Sequence, residues 1–420
     1  AAGWFRLPRP QPAPVALRRE SLPIHWQLRR SAALFGGLLS SWLLFTGCGS
    51  DSGTGPEDGL DLEDLSGLFA PVTDAERLAV LADWASRDVA AHDVRVVRRD
   101  TISVGIDTLE VRILSHVVQG DLHYGAVIVP FVASTTPRPV LAYTHFSDVG
   151  VGVESTLFAL GAIAGLRGSQ FVLVIPSYRG KTLSYGSQSW TSQGTVSLWD
   201  GEVDDTLALI HAAWGQPGVA AGDAATFGFS AGGMIALLTA IREPDVVRVV
   251  DFFGPTNFFG PWAQDLLQRI LDDQAPDLSS IPELQASVVD PFERGELSLA
   301  DMRLELLRRS ALHFADRLPA VLAHHGLADD VVDVGETRIL EEAVRSAGGS
   351  IEAFYYEGSG HSPFGLDGSL GRTAAFLGVL SPAGRRVQPP AEMDSRSSWA
   401  LWASSGIGSQ SAKGWPPPMQ

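Results

Sequence analysis

Three side chains of this sequence have the types and the order that nucleophilic catalysis requires. Ser230 is the centre of a Gly-Phe-Ser-Ala-Gly segment, which matches the G-x-S-x-G pattern of a sharp turn between a strand and a helix. Asp329 and His361 follow it along the chain. A serine hydroxyl becomes a nucleophile when a histidine takes its proton, and a carboxylate keeps that histidine in the required tautomer. The three residues therefore predict a triad for acyl transfer through a covalent intermediate.

Each member of this predicted triad follows a strand of its own. The pattern predicts strands at 224–227, 319–324 and 351–356, and a helix at 234–242 directly after the serine. Because the carboxyl ends of parallel strands meet at one edge of an α/β sheet, we expect the three side chains to converge there. The alternatives are a tight turn with a bystander serine at position 230 and a surface loop histidine at position 361.

The sequence offers two candidates for the acid of the triad, and it contains a pair of adjacent histidines that could bind a metal. Asp329 and Asp330 are adjacent, and we favour Asp329 as the acid, with Asp330 as a helix-capping or solvent-facing carboxylate. His324 and His325 resemble a metal-binding pair, but adjacent residues on a strand point to opposite faces, and no cysteine or carboxylate cluster accompanies them. We interpret both as structural, and the sequence implies neither a metal nor an organic cofactor.

A developing oxyanion needs two N–H donors beside the nucleophile. One is predicted to be the backbone N–H of Ala231, which opens the helix after Ser230, and the other that of Phe146, after an apolar strand at 140–144. A plain connecting loop is the alternative for Phe146. Tyr178 and Trp262 are candidate substrate-binding residues, although aromatic side chains in such positions are as often part of the core.

The remaining pattern predicts an α/β fold over residues 61–380. Between 94 and 132 the apolar period is two, which is typical of antiparallel strands. From Pro139 onward short apolar strands alternate with helices, as in a mostly parallel sheet that is covered on both faces. Residues 254–318 interrupt this alternation, and we interpret them as a small helical insertion, a possible lid.

Both ends of the chain differ from this domain in composition. A basic region is followed by an uncharged apolar run from Ser31 to Gly47, which predicts a signal peptide over 1–47. Phe45-Thr-Gly-Cys48 resembles a bacterial lipobox, so Cys48 is predicted to be lipidated and to anchor the protein to a membrane through a flexible tether at 48–60. Export without the lipid, an uncleaved membrane anchor and a cytoplasmic protein are the alternatives. Residues 381–420, rich in Ser, Pro and Gly, are predicted to be disordered.

The charge of the chain excludes one class of partner. The formal net charge is -17, and phosphate binding needs clustered lysines and arginines. We therefore expect no nucleic acid partner. The predicted triad implies a small-molecule ester or peptide substrate. The sequence leaves the oligomeric state open.

Together the motifs resemble the catalytic domain of the prolyl oligopeptidase family, which has the α/β-hydrolase fold. The resemblance covers roughly residues 124–380, and dienelactone hydrolase-like and acetyl xylan esterase-like proteins share the architecture. That family's H-G-x-x-D-x-x-V pattern places the acid on Asp329. The segments that carry the resemblance are Gly228–Gly233, His325–Val332, Gly360-His361 and Tyr178-Arg179-Gly180.

Two departures from this family bear on the substrate. About 75 residues lie between the tether and the first strands of the catalytic domain, too few for the β-propeller that family peptidases carry. Where many relatives have His-Gly-Gly, this chain has His145-Phe146-Ser147. The resemblance therefore implies an ester hydrolase first, a peptidase of the prolyl oligopeptidase type second, and a non-catalytic binding lipoprotein on the same scaffold third.

Overall fold

The computed structural model describes residues 66–104, 107–146, 150–164, 170–272, 274, 276, 278 and 280–378. The predicted signal peptide, Cys48 and tether lie outside these residues, as does the predicted tail at 381–420. Within the described ranges no helix has both the length and the apolar character needed to cross a membrane.

The centre of the fold is a nine-stranded sheet. The twelve strands of the described chain are β1 (His92–Val104), β2 (Asp107–Val118), β3 (Asp121–Pro130), β4 (Arg138–Thr144), β5 (Gly150–Gly152), β6 (Val172–Ser177), β7 (Thr182–Tyr185), β8 (Gln188–Thr191), β9 (Val219–Phe229), β10 (Val246–Phe252), β11 (Ala320–Gly326) and β12 (Ile351–Tyr356). The large sheet has the order β1-β2-β3-β6-β4-β9-β10-β11-β12. Strands β1 to β3 pair antiparallel with their neighbours, and β6, β4 and β9 to β12 run parallel.

Helices cover both faces of this sheet. Those assigned as α-helix are α1 (Asp74–Ser86), α2 (Val153–Ala164), α3 (Gly201–Trp214), α4 (Ala231–Arg242), α5 (Pro261–Leu271), α6 (Ile281–Leu284), α7 (Asp290–Glu293), α8 (Leu299–Arg308), α9 (Gly335–Ser346) and α10 (Ser369–Gly378). Alternate residues of β4 separate the two cores, since Val140 packs with α3 and α4 while Leu141 packs on the opposite face. The predicted fold class, a mostly parallel sheet with helices on both faces, is confirmed.

Helices α5 to α8 lie between β10 and β11, the stretch of sequence that interrupts the strand–helix alternation. Helix α5 starts with Pro261 in its first turn, and α8 has a capping box in which Ser298 and Asp301 bond each other's backbone N–H. Arg303 of α8 donates to the carbonyl of Leu68 at 2.7 Å and pairs with Glu76 of α1 at 2.6 Å. These contacts hold the segment against the N-terminal part of the domain.

The structure also contains a second sheet, of three strands, that the sequence pattern does not predict. Strands β5, β7 and β8 form it in that order, and its members have only three or four residues each. Gly150 has a φ of +119°, and a Cβ there would lie 2.0 Å from the carbonyl oxygen of Thr182, so the β5–β7 pairing requires glycine.

Candidate active site

Ser230 occupies the sharp turn between β9 and α4. Its backbone has φ +53° and ψ −128°, a strained conformation for a residue with a side chain. Its N–H donates to the Phe252 carbonyl at 2.8 Å, which ties the turn to the neighbouring strand β10. A Cβ on Gly228 would lie 2.2 Å from the Gly232 carbonyl oxygen, and one on Gly232 would lie 2.1 Å from that of Thr144. Glycine at both positions is therefore what allows the turn to close.

The structure brings the serine, the histidine and Asp329 into one hydrogen-bonded chain. The Nε2 atom of His361 is 2.9 Å from the Oγ atom of Ser230, and its Nδ1 atom is 2.8 Å from the Oδ2 atom of Asp329. Because an ionised carboxylate only accepts hydrogen bonds, Nδ1 carries the ring proton and Nε2 is free to accept the serine proton. The adjacent Asp330 is exposed and lies outside this chain.

The Asp329 side chain is fully buried, and it accepts hydrogen bonds from several neighbouring groups. Its Oδ1 atom accepts from the N–H groups of Val331 at 2.9 Å and Val332 at 3.0 Å. Burial opposes ionisation of this carboxyl, but hydrogen bonds from His325, His361 and the backbone outweigh it and hold the pKa of Asp329 well below its usual value. The carboxylate therefore stays charged while it orients His361.

His325 is the second imidazole on this carboxylate. Its Nε2 atom lies 3.3 Å from Oδ2 of Asp329 and 2.9 Å from the carbonyl oxygen of Val332, and both of these groups are acceptors. Nε2 therefore carries the proton, and Nδ1 accepts from the Thr337 hydroxyl at 2.7 Å. The sequence predicts a structural role for His325, and its contact with the acid is an addition to that prediction.

Backbone hydrogen bonds join the loop that carries the acid to the loop that carries the histidine. The N–H of Leu327 donates to the Tyr356 carbonyl at 2.8 Å, and that of Ala328 donates to the Ser359 carbonyl at 2.9 Å. A Cβ on Gly326 would lie 2.2 Å from the Ser359 carbonyl oxygen. The two loops can approach this closely only because position 326 is glycine, and their contact fixes the distance between Asp329 and His361.

An aromatic ring directly after β10 contacts the imidazole. The ring centroids of Phe253 and His361 are 4.4 Å apart, and the Phe253 backbone is left-handed with φ +46°. No local pattern in the sequence marks Phe253 as a site residue, because a left-handed phenylalanine leaves no signal in a strand pattern. The Phe253 ring therefore packs against one side of the imidazole.

Asp251, two residues before Phe253, is a buried carboxyl behind the turn. Its Oδ1 atom accepts from the Gly254 N–H at 3.0 Å, and its Oδ2 atom has no partner. A Cβ on Gly233 would lie 2.0 Å from Oδ1, so the group packs directly against the start of α4. Burial raises the pKa of Asp251 to about 7, although the nearby His325 opposes the shift.

The remaining predicted site residues lie around this chain. Ala231 is the first residue of α4, so its N–H is one of the four that an α-helix leaves without an internal partner. Phe146 is half-buried, follows β4 and lines a cleft with Tyr178. The indole N–H of Trp262 donates to the Val331 carbonyl at 2.9 Å, in the loop that carries the acid. Oxyanion and substrate roles for these four residues stay predictions.

The described residues contain no group of three or more histidine, cysteine, aspartate or glutamate side chains arranged to hold a metal ion. His324 lies on the opposite face of β11 from His325, and its ring contacts the Tyr356 hydroxyl at 2.7 Å and the Thr373 hydroxyl at 3.2 Å. The two adjacent histidines are therefore parts of different clusters.

Comparison with known proteins gives matches at the level of structure. No protein family model matches the sequence, and no curated protein matches it. Acetyl xylan esterase 1 from Thermoanaerobacterium sp. JW/SL YS485 aligns with a TM-score of 0.52 at 18% identity, covering 77% of this chain and 99% of that one. An acetyl xylan esterase from Paenibacillus sp. R4 aligns with a TM-score of 0.49 at 15% identity, covering 76% and 100%. At such identities the first match shows the fold alone, and the chain has the α/β-hydrolase fold.

Proposed function

We propose that this protein is a serine hydrolase that cleaves carboxylic esters through an acyl-enzyme. The observation that carries the proposal is the hydrogen-bonded chain from Ser230 through His361 to Asp329, with heavy-atom distances of 2.9 and 2.8 Å. These distances are within the range required for proton transfer between a nucleophile and its base.

In the first half of the reaction the Ser230 oxygen attacks the ester carbonyl carbon while Nε2 of His361 takes the serine proton. The tetrahedral intermediate collapses when the bond to the alcohol oxygen breaks, and Nε2 gives its proton to the departing alcohol. In the second half a water molecule attacks the acyl-enzyme and passes a proton to Nε2. The carboxylic acid leaves as Ser230 recovers that proton.

The other residues of the site act on charge and orientation. Asp329 stabilises the imidazolium that forms twice in each cycle, and its low pKa keeps it ionised for that purpose. In this mechanism the oxyanion is held by the N–H of Ala231, at the positive end of the α4 dipole, and by the N–H of Phe146.

We also propose that the chain is related to the catalytic domain of the prolyl oligopeptidase family. Residues 325–332 fit the H-G-x-x-D-x-x-V pattern, and Asp329 in that pattern contacts His361, which supports kinship with the prolyl oligopeptidase catalytic domain. Ester hydrolysis is preferred over peptide hydrolysis because the acetyl xylan esterase from Thermoanaerobacterium aligns over 77% of this chain and 99% of its own.

The experiment compares Ser230→Ala with Ser189→Ala, a control serine that is exposed in β8. We expect Ser230→Ala to lower kcat for 4-nitrophenyl acetate by about 10⁴-fold or more, and Ser189→Ala to leave it unchanged. A fluorophosphonate probe should label wild type and the control but not Ser230→Ala. Undiminished hydrolysis by Ser230→Ala would sink the assignment, and absent labelling of wild type would favour a non-catalytic binding protein.

A panel of substrates separates the ester hydrolase from the peptidase. Short acyl esters and the matching aminoacyl amides are assayed with wild type, and the proposal expects the esters to be cleaved faster. Faster cleavage of the amides would replace the ester assignment with the peptidase one.

We also propose that the protein is exported to a bacterial cell envelope and anchored there through lipid on Cys48. The apolar run from Ser31 to Gly47 directly before this cysteine supports the proposal. Cys48→Ala should abolish labelling by a radioactive fatty acid and move the protein from the membrane fraction to the soluble one. Unchanged fractionation of the variant would refute lipid anchoring at this residue.

A further inference from the structure

Asp251 is a buried carboxyl behind the nucleophile turn, and it takes no part in the proton transfers of the triad. It is the next-to-last residue of β10 and is completely buried. In the sheet it pairs with Gly228 of β9, two residues before Ser230, and with Ala323 of β11, two residues before His325. One ionisable group therefore lies between the strand that carries the nucleophile and the strand that leads to the acid.

The Asp251 carboxyl fills the contact between two turns of the site. A Cβ on Gly233, in the first turn of α4, would lie 2.0 Å from its Oδ1 atom, and a Cβ on Gly254 would lie 2.5 Å from the same atom. The Cβ on Gly233 would also lie 3.3 Å from the Cα atom of Gly254. The carboxyl thus touches the backbone of both turns, and a displacement of the carboxyl is passed to both of them.

These two turns carry residues that determine the geometry of the triad. The Ser230 N–H donates to the carbonyl of Phe252, the residue after Asp251, at 2.8 Å. The Phe253 ring packs on His361 with ring centroids 4.4 Å apart. A movement of the two turns relative to each other would therefore change the distance between the nucleophile and its base.

The surroundings of Asp251 fit its neutral form. Its Oδ1 atom accepts one hydrogen bond, from the Gly254 N–H at 3.0 Å, and its Oδ2 atom has no partner. An ionised carboxylate can accept about four hydrogen bonds, and burying it without them costs far more free energy than burying the neutral acid. Burial accordingly raises the pKa of Asp251 to about 7, so the neutral form prevails in mildly acidic solution.

The N–H groups of α4 at this contact are already occupied. Those of Gly233 and Met234 donate to the Ser230 carbonyl, at 2.8 and 3.3 Å. An ionised Asp251 could recruit them only by breaking these bonds, which join the first turn of α4 to the nucleophile. Ionisation therefore competes with the hydrogen bonds of the nucleophile turn.

Two titratable side chains act on this region from neighbouring elements. His325 of β11 faces Asp251 and opposes the rise of its pKa, but the Nε2 proton of His325 is directed at Asp329, 3.3 Å away. Glu336 of α9 accepts from the Asn257 N–H at 2.7 Å, further along the loop after β10, and is an additional carboxyl rather than a donor. Neither group replaces the missing partner of Oδ2.

We propose that Asp251 is a positioning residue that must be neutral for full activity: its protonated carboxyl holds the nucleophile turn against the turn that carries Phe253, and its ionisation separates them. Alkaline pH then reduces the turnover of the folded protein through a group that does not touch the substrate. The proposal rests on the proposed ester hydrolase activity and adds a form of regulation to that site. Asparagine has a similar shape and no charge, so it mimics the protonated acid.

The test compares the pH profiles of kcat for 4-nitrophenyl acetate in wild type and Asp251→Asn. We expect the ratio of kcat in Asp251→Asn to kcat in wild type to rise at least about tenfold from pH 6 to pH 9, because a group with a pKa of about 7 is about 99% ionised at pH 9. A ratio that is constant over this range would overturn the proposal, even if Asp251→Asn has a lower kcat throughout, since that result is a structural effect alone.

The matched control is Asp223→Asn. Burial also raises the pKa of Asp223, but this residue lies seven positions before Ser230 on β9, a distance of about 23 Å along the strand. Its variant should keep the pH profile of wild type. A profile that changes equally in Asp223→Asn and Asp251→Asn would mean that the effect is not specific to the nucleophile turn.

A measurement on wild type alone covers two further cases, in which Asp251→Asn does not fold or wild type cleaves no ester. Hydrogen–deuterium exchange is compared at pH 6 and pH 9, with labelling times adjusted for the faster chemical exchange at pH 9. Peptides that span 228–235 and 252–257 should gain more exchange at pH 9 than those of β2. An equal gain would overturn the proposal in either case. Absence of ester cleavage at every pH rejects the proposed activity, and the exchange data then decide whether ionisation separates the turns.

Discussion

The Nε2 atom of His325 lies 3.3 Å from Oδ2 of Asp329, the same carboxylate oxygen that contacts Nδ1 of His361. The acid of the proposed triad therefore receives two imidazole donors on one oxygen and two backbone N–H groups on the other. With so many donors the carboxylate has one orientation, and that orientation determines where the His361 ring stands relative to Ser230.

This relationship predicts that His325 is a positioning residue. His325→Phe removes the N–H that faces Asp329 and Val332, and we expect kcat for 4-nitrophenyl acetate to fall by about 10- to 100-fold, because a hydrogen bond to a charged group contributes about 1.5–3 kcal/mol. His325→Gln keeps an N–H on a side chain of similar length and should restore most of the loss. Steady-state kinetics at saturating substrate gives the comparison.

The control for this prediction is the adjacent histidine. His324→Gln changes a buried imidazole that contacts Tyr356 and Thr373 on the opposite face of β11, so it should lower stability and leave kcat of the folded protein unchanged. Equal kcat losses in His324→Gln and His325→Phe would mean that His325 is only a structural residue.

The two adjacent aspartates should differ sharply in their effect on catalysis. Asp329→Asn can no longer hold a proton on Nδ1 of His361, and we expect kcat to fall by about 10⁴-fold. Asp330 is exposed, and Asp330→Asn should keep full activity. The ratio of the two kcat values measures the effect, and a large loss in Asp330→Asn alone would move the acid to that position.

A buried ion pair next to the cleft should contribute to stability. Arg179 pairs with Asp205 at 2.8 Å, and the Asp205 side chain is 1% exposed. Burial raises the pKa of Asp205 to about 6 despite the arginine. Removal of the guanidinium leaves this buried carboxyl with only the backbone N–H of residue 179, at 2.8 Å, and the ring of His123, at 3.6 Å. Arg179→Met should lower the free energy of unfolding by about 3–5 kcal/mol, as measured by urea denaturation.

The matched control for Arg179 is a surface pair. Arg294 contacts Glu296 at 2.7 Å, but both side chains are more than half exposed. Arg294→Met should leave the unfolding midpoint unchanged. Equal urea midpoints for Arg179→Met and Arg294→Met would show that the buried pair contributes no more to stability than the surface pair does.

Asp251 predicts a pH dependence of stability. Its pKa is raised from 3.8 to about 7 in the folded protein, so the stability that its protonation contributes is complete below about pH 4 and is lost as the pH rises to 7. Relative to Asp251→Asn, wild type should therefore lose up to about 4 kcal/mol between pH 4 and pH 7, and about 3 kcal/mol of it between pH 5 and pH 8. Urea denaturation of both proteins at pH 5 and pH 8 gives the difference.

Asp330→Asn serves as the reference for this measurement, because it removes an exposed carboxyl and should show no comparable change with pH. Parallel stability profiles for wild type and Asp251→Asn would show that Asp251 does not take up a proton on folding in this range.

The fold class was predictable because its signals are local and repeated. Short apolar strands that alternate with helices indicate a parallel sheet, and this alternation can be recognised in each segment of the chain separately. Gly228 and Gly232 indicate the sharp turn, because a Cβ at either position would clash with a backbone carbonyl oxygen. Strands β7 and β8 were not predicted, since four residues are too few for a period of two to stand out.

The environment of the triad was less accessible to sequence analysis than its members. The pattern placed His324 and His325 on opposite faces, but the contact of His325 with Asp329 depends on how the loop after β11 folds back over four residues. The Phe253 ring reaches His361 only because its backbone turns left-handed after β10. Both features come from tertiary packing, which overrides the local preferences that a sequence displays.

The backbone of Ser230 has φ +53° and ψ −128°. This conformation lowers the stability of the fold, but the proposed reaction requires a serine at this position. Glycine tolerates this conformation better than serine, and strained positions of this kind cost about 1–3 kcal/mol. A programme that improves this protein by selecting only for heat resistance would therefore reward loss of the side chain on which the proposed reaction depends. Thermostable variants should come from the surface or from the helical segment, with position 230 held fixed during selection.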